Sequence, residues 1–247
     1  MKKALLILLV LPLFALGQEE ERGRIMAFME FTVKQGHTVQ FEDGMKKLKD
    51  CYLENSGEDG WAVWRRVQGE GNVYRVVSSM DNWAEMDEDD DGWKGCYEII
   101  RNFTAPHVEK VKRSFARQLP KWSQKNWEGP YKLLWNTSFI VNNNTLFSEA
   151  IQEYIDVMTE MGEDLSGYWS YSMGAGKDGA DYTLVGFYKD YAALDESSDP
   201  FKEYEKANGK KKADKMRDRM KKAGEKWNEA IEDSWGYLWV HKPELSN

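Results

Sequence analysis

"YRVVSSMDNWAEMDE" (74–88) lies without a gap over "YTLVGFYKDYAALDE" (182–196). In both, an aromatic, β-branched run passes into a polar stretch carrying Trp or Tyr and closes on Asp-Glu. An internal repeat settles the architecture before any single element does, and this one extends in both directions. Upstream, Phe41, Met45, Leu48 and Tyr52 step by four, three and four residues, and Phe147, Ile151, Tyr154 and Met158 step identically. Each series marks one apolar face of a helix. "GWAVWRR" (60–66) then matches "GYWSYSM" (167–173).

Downstream, Val108, Val111, Phe115 and Trp122 parallel Ala213, Met216, Met220 and Trp227, with "KW" at 121–122 and 226–227 setting the register. This predicts a second helix in each copy, broken near its start by Pro106 in the first and by Asn208-Gly209 in the second. "YKLLWN" (131–136) resembles "YLWVHK" (237–242). The chain reads as two copies, 18–130 and 131–247, with the likeness beginning near residue 24.

Within a copy the order is strand, helix, strand, strand, helix, strand. The first strands are "IMAFMEFTV" (25–33) and "YKLLWNTSFIV" (131–141). The middle pairs bracket the glycine turns "QGEG" (68–71) and "GAGKDGAD" (174–181), and such turns favour hairpins. The expected class is α+β, a ferredoxin-like βαββα(β) unit used twice. Both faces of the middle strands are apolar, Trp61 and Val63 on one side, Ala62 and Trp64 on the other. Two such sheets are expected to pack against each other as well as against their helices. On this topology, and on "NWAEMDE" (82–88) and "DYAALDE" (190–196), the chain resembles the dimeric α/β-barrel superfamily, with both half-barrels in one polypeptide.

The resemblance implies a barrel that encloses small molecules. Some of its members are oxygenases, haem-degrading ones included, in which a histidine of the second helix works beside Asn and Trp. Here His107 lies at the expected start of that helix and Asn136 on the first strand of the second copy, while Glu30 stands near the matching position of the first. Trp64, Tyr74, Tyr171 and Tyr182 fall at matching strand positions of the two copies. With Glu30 or Asn136 they could line a cavity for a flat, apolar ligand, or fill the core.

"DEDDDGWKGCYE" (87–98) matches a calcium-binding EF-hand loop: Asp87, Asp89 and Asp91 as oxygen ligands, Gly92 at the turn, Trp93 through its carbonyl and Glu98 as the closing carboxylate. Lys94 stands where such a loop carries an apolar residue, and the repeat places Asp195, Ser197, Asp199, Pro200 and Lys206 under those positions. The second copy therefore keeps an acidic connection without the turn glycine or the closing carboxylate. Acidic residues there also suit the start of the following helix.

The first 17 residues, with Lys2 and Lys3 ahead of an apolar run from Ala4 to Leu16, read as a cleaved secretory signal. A periplasmic or secreted protein is expected, in a compartment that allows Cys51 and Cys96 to pair. Sequence alone does not place the two within bonding distance. With 42 acidic against 34 basic residues, nucleic acid and anionic membranes are poor partners, and no second apolar run is long enough to span a bilayer. The lysine-rich stretch 206–227 reads as a solvated helix face, and the sequons at Asn102, Asn136 and Asn143 carry little weight. No Ser-His-Asp triad, P-loop or zinc motif is present. The leading expectation is an exported small-ligand-binding or structural barrel. A barrel enzyme of the oxygenase or haem-degrading type stands second, with haem as its cofactor, and a calcium-stabilised protein third.

Overall fold

The computed structural model describes residues 22–125, 129–174, 179–196 and 199–247. The N-terminal run read as a signal (1–17) and part of the second glycine turn, 175–178, lie outside them, as does Ser197. Alternating side chains give eight strands: β1 (Ile25–Val33), β2 (Ala62–Arg66), β3 (Asn72–Met80), β4 (Val108–Gln118), β5 (Leu133–Val141), β6 (Tyr168–Ser172), β7 (Tyr182–Tyr188) and β8 (Ile231–His241). The longer helices are α1 (Thr38–Glu54), α3 (Asn144–Met161), α4 (Pro200–Asn208) and α5 (Lys210–Ala230), with a short α2 (Tyr97–Ile99).

The strands close into an antiparallel barrel in the order β1-β3-β2-β8-β5-β7-β6-β4. Within that ring the first half of the chain runs β4-β1-β3-β2 and the second β8-β5-β7-β6. The halves join where β2 pairs with β8 and β4 with β6. Closure leaves no sheet edge unpaired, which removes the aggregation hazard of open strands.

Helices cover the outside of the ring. Phe41, Met45, Leu48 and Tyr52 of α1 are buried against Val63, Tyr74 and Trp61, as their spacing requires. On α3, Phe147, Ile151 and Met158 are buried, and Phe147 joins Phe139, Trp169 and Trp227 in an aromatic core. The α3 N-terminus is capped by Asn143, whose side-chain oxygen accepts from Leu146 N, and Gly162 ends the helix at φ 80°. As expected, the second-half helix is interrupted at Asn208-Gly209, with α5 resuming at Lys210. A third apolar cluster, Trp64, Val73, Leu134 and Trp239, lies inside the barrel between the halves.

One expectation is corrected. Residues 108–118 are strand β4, not helix, and the first-half helical segment ends at His107. The misleading spacing has a physical origin. The β1–β4 register shifts between Thr32 and Val33, so Thr32 faces Lys110 and Val33 faces Val108. Glu109 is then an extra residue, and Val108 and Val111 share a face three positions apart, the step of a helix. The true counterpart of β4 is β8, so the "KW" alignment of Trp122 with Trp227 does not hold.

The C-terminal tail crosses back onto the first half. Leu245 is 0% exposed within the α1 core, its carbonyl accepts from Trp61 Nε1 at 2.9 Å, and Asn247 N donates to the Trp61 carbonyl at 2.9 Å.

Candidate functional site

Strand parity decides which side chains reach the barrel interior. Phe28 and Glu30 of β1 point inward, and the register brings Arg75 of β3 and Lys112 of β4 to either side of Glu30. Arg75 then spans the barrel. Its Nε and Nη2 donate to the same oxygen of Glu30 at 2.8 and 2.5 Å, and its Nη1 donates to Asn136 Oδ1 of β5 at 2.9 Å. The guanidinium also lies 4.2 Å from the centre of the Trp239 ring, a cation–π contact. One arginine thus meets three strands and both halves of the chain.

Around it is a cavity of about 450 Å³, a volume suited to a small ligand. Its wall is partly aromatic, with Trp64, Phe187, Trp235 and Trp239, and partly hydroxyl-bearing, with Ser138, Ser170 and Thr183. Tyr168 also faces it, and burial pushes that phenol up to about 12 against a weaker opposing pull from Arg24. A second cavity of about 330 Å³ shares Glu30, Arg66, Lys112 and Tyr237 with the first and adds Thr32, Glu70, Val73 and Lys110. These four shared residues form a collar between the chambers.

At the collar, Arg66 lies 4.6 Å from the Tyr237 ring centre and donates through Nη2 to the Glu70 carbonyl. The β2–β3 turn folds over them. Gly69 has φ 96°, and a Cβ there would come within 2.9 Å of the Tyr237 ring, so the position requires glycine. Arg66 faces Trp239 across the β2–β8 pairing. Arg66 Nε and Trp239 Nε1 are both buried donors without an acceptor among the described residues.

Of the ligand residues expected from sequence, Glu30, Trp64 and Asn136 line the large cavity. The structure places Tyr74, Tyr171 and Tyr182 otherwise. Arg65, not Trp64, pairs with Tyr74, so Tyr74 faces the helices, 0% exposed, and donates to Glu42 at 2.6 Å. Tyr182 packs on Phe147 and Trp122 in the second-half core, and Tyr171, its β6 partner, shares that outward parity. Sequence reasoning missed Arg66, Arg75, Lys112 and Trp239; it is the register that sets Arg75 and Lys112 opposite Glu30 and Arg66 opposite Trp239.

The acidic loop does not assemble a calcium site. Among the described residues no group of three or more His, Cys, Asp or Glu side chains could hold a metal ion. Asp87 ends one 3-10 turn and Asp91 opens another, while Glu98 turns away to Arg101. The structural work falls to Asp90, which accepts from Gly92 N at 2.8 Å and from the Tyr52 hydroxyl at 2.7 Å. Gly92 serves close packing, since a Cβ there would lie 2.6 Å from Gly57 Cα. Cys96 of this stretch is bonded to Cys51, with their Cα atoms 5.9 Å apart.

The histidines do not meet the cavity. His107 and His37 face one another with Nδ1 atoms 2.9 Å apart, beside α1 and outside the barrel lining. His241 packs 4.7 Å from the Trp64 ring and contacts Ser246 Oγ at 3.1 Å. Haem needs an axial ligand such as His, Cys or Tyr. The described cavity wall has no His or Cys. Its remaining candidate ligands are Met26, Tyr168 and Tyr237, of which Tyr237 lies under Arg66. Without a His or Cys among the described residues of either chamber, the lining does not match a His- or Cys-ligated haem.

No family model matches the chain, and no curated protein matches it in sequence. Solved structures do match its fold. A candidate monooxygenase from Lactobacillus acidophilus superposes with a TM-score of 0.53 at 10% identity, over 89% of this chain and 94% of that one. A candidate chlorite dismutase gives 0.51 at 12% identity, over 90% and 96%. An anthrone oxidase-like protein gives 0.50 at 9% identity, over 91% and 92%. These neighbours are of the dimeric α/β-barrel type, and at such identities they show the fold alone: a closed eight-stranded α/β barrel.

Proposed function

We propose that the barrel interior is a small-molecule site, and that the chain oxidises a ring-bearing, electron-rich substrate there. The observation that carries this reading is the cavity of about 450 Å³, part aromatic and part hydroxyl-lined, with Arg75 fixed by Glu30 and Asn136. The neighbours named for monooxygenase and oxidase chemistry support the reaction class by analogy of fold.

The residues define the parts such a reaction needs. Trp64, Phe187 and Trp239 receive the ring and exclude water. Ser138, Ser170 and Thr183 orient polar substituents. Glu30 is the one carboxylate among the described lining residues and is placed to accept a proton from the substrate. With Glu30 protonated, the Arg75 charge is no longer balanced by its partner and favours the resulting phenolate or enolate through space, while its Nη1 stays on Asn136, before that anion gives electrons to dioxygen.

The test is oxygen uptake by the purified mature protein with anthrone and with hydroquinones. Val185→Trp fills the cavity from β7, and Glu30→Gln removes the base. Protein-dependent uptake that is abolished by Val185→Trp and lowered at least about tenfold by Glu30→Gln is the expected result. Uptake at the buffer rate with every substrate, from folded protein, overturns it. Trp64, Leu134 and Trp239 fill part of the barrel, which favours a second reading, binding without turnover. Ligand binding with no oxygen consumed would establish that reading.

The matched strand orders of the two halves support a further part of this proposal, that the chain is a duplicated unit forming in one polypeptide the barrel that two subunits form elsewhere. The N-terminal apolar run and the Cys51–Cys96 bond support export to an oxidising compartment.

A further inference from the structure

The collar between the two chambers carries more positive charge than the fold needs. The protein as a whole is acidic, with a net charge of −8, yet Arg66, Lys110 and Lys112 all line the outer chamber against Glu30 and Glu70. Glu30 is already engaged by two nitrogens of Arg75. The Lys112 ammonium, although its strand position is directly opposite Glu30, has no ion pair or hydrogen bond among the described residues.

Among the described residues Arg66 Nε is buried without an acceptor, and so is Trp239 Nε1 on the neighbouring strand. A buried donor left unpaired costs free energy, more so when it is charged. The Arg66 guanidinium and the unpaired Lys112 ammonium, both lining the two chambers, are complementary to one kind of partner: a compact group with several acceptor oxygens and a negative charge.

We infer that the collar formed by Arg66, Lys112 and Tyr237 binds the acidic group of an aromatic anion, a carboxylate or sulfonate. The ring of that ligand lies in the large chamber against Trp239, and the outer chamber is its route of entry. The inference rests on the reading of the barrel interior as a small-molecule site and adds the ligand's charge and orientation. Arg75 is not the anion receptor, because Glu30 and Asn136 already use its donors. Arg66 is fixed in place by Glu70 and by the Tyr237 ring, so its guanidinium charge stands at the collar without reorganisation.

Two fluorescent probes with one ring system test this: 1-anilino-8-naphthalenesulfonate, which is anionic, and N-phenyl-1-naphthylamine, its neutral counterpart. Both are titrated into the wild-type protein and into Arg66→Gln, Lys112→Gln and Val185→Trp. The anion is expected to bind at least about tenfold more tightly than the neutral probe. Arg66→Gln and Lys112→Gln are each expected to remove most of that preference without weakening the neutral probe. Val185→Trp is expected to abolish both signals, which assigns them to the cavity. Equal affinities in the wild type, or variants that weaken both probes alike, overturn the collar while leaving the cavity as a site. If neither probe binds, or both signals survive Val185→Trp, the small-molecule reading fails and the collar inference fails with it.

Discussion

Arg75 Nη1 donates to Asn136 Oδ1 at 2.9 Å across the barrel while the other face of the same guanidinium holds Glu30. The bond joins a strand of the first half to a strand of the second through the interior. Arg75 and Glu30 keep only 19% and 28% of their side-chain surface exposed, so removing one partner strands the other in a poorly solvated place. Arg75→Met is expected to destabilise the protein by about 1–3 kcal/mol, read as a lower urea midpoint with an unchanged slope. Adding Glu30→Gln to Arg75→Met is expected to recover part of the loss. A single variant as stable as the wild type would show that the pair contributes nothing to holding the halves together.

The bond between Cys51 and Cys96 ties α1 to the acidic loop across 45 residues of sequence. The paired substitution to serine is expected to cost about 2–4 kcal/mol, mainly by freeing the unfolded chain. Thermal unfolding of the wild type in millimolar calcium and in chelator is expected to give one midpoint, since a ligand that binds only the folded state raises it. A calcium-dependent rise would restore the EF-hand reading of 87–98.

Leu245 is the point at which the tail of the second half enters the core of the first. It is 0% exposed and packed in the cluster of Phe41, Tyr52 and Trp61. Leu245→Ala is expected to cost about 2–5 kcal/mol, the range for emptying a well-packed core position. A loss below that range in denaturant unfolding would mean that the tail is only loosely attached.

Four tyrosines hold their protons more tightly than free phenol. Burial is the main cause in each case. Tyr52 is pushed up to about 12 by burial and by its bond to Asp90, and Tyr168 to about 12 by burial. Tyr74 is raised by burial and Glu42, and Tyr182 by burial and Asp181. In the unfolded chain these groups ionise near 10. The folded state is thus fully favoured below pH 10, and stability falls as pH climbs from 10 towards 12, because unfolding then releases protons. Absorbance of tyrosinate on raising the pH is expected to show four of the 12 tyrosines lagging until the protein unfolds. Absence of any late-ionising tyrosine in the folded protein would contradict the burial assigned to these four.

The repeat made the barrel legible because strand, helix and turn signals recurred in the same order, so an error in one copy could be checked in the other. It failed where the copies diverge. Helix α5 runs 21 residues, but the first-half helical segment stops at His107. The bulge at Glu109 then gave β4 the apolar spacing of a helix. For the site, Glu30, Trp64 and Asn136 were readable as inward residues, whereas Tyr74 was set one position away from Arg75. That single step reverses the face of the sheet, exchanging a core tyrosine for the arginine at the centre of the cavity. Arg66 and Lys112 gave no signal of their own, because charged residues on short strands read as solvent-facing until closure of the barrel is known.

The most direct measurement is a crystal structure of the protein soaked with 1-anilino-8-naphthalenesulfonate. Ring density is expected inside the barrel among Leu134, Val185 and Trp239, with the sulfonate at Arg66 and Lys112. Density confined to the outer surface, with the barrel interior unchanged, would contradict it.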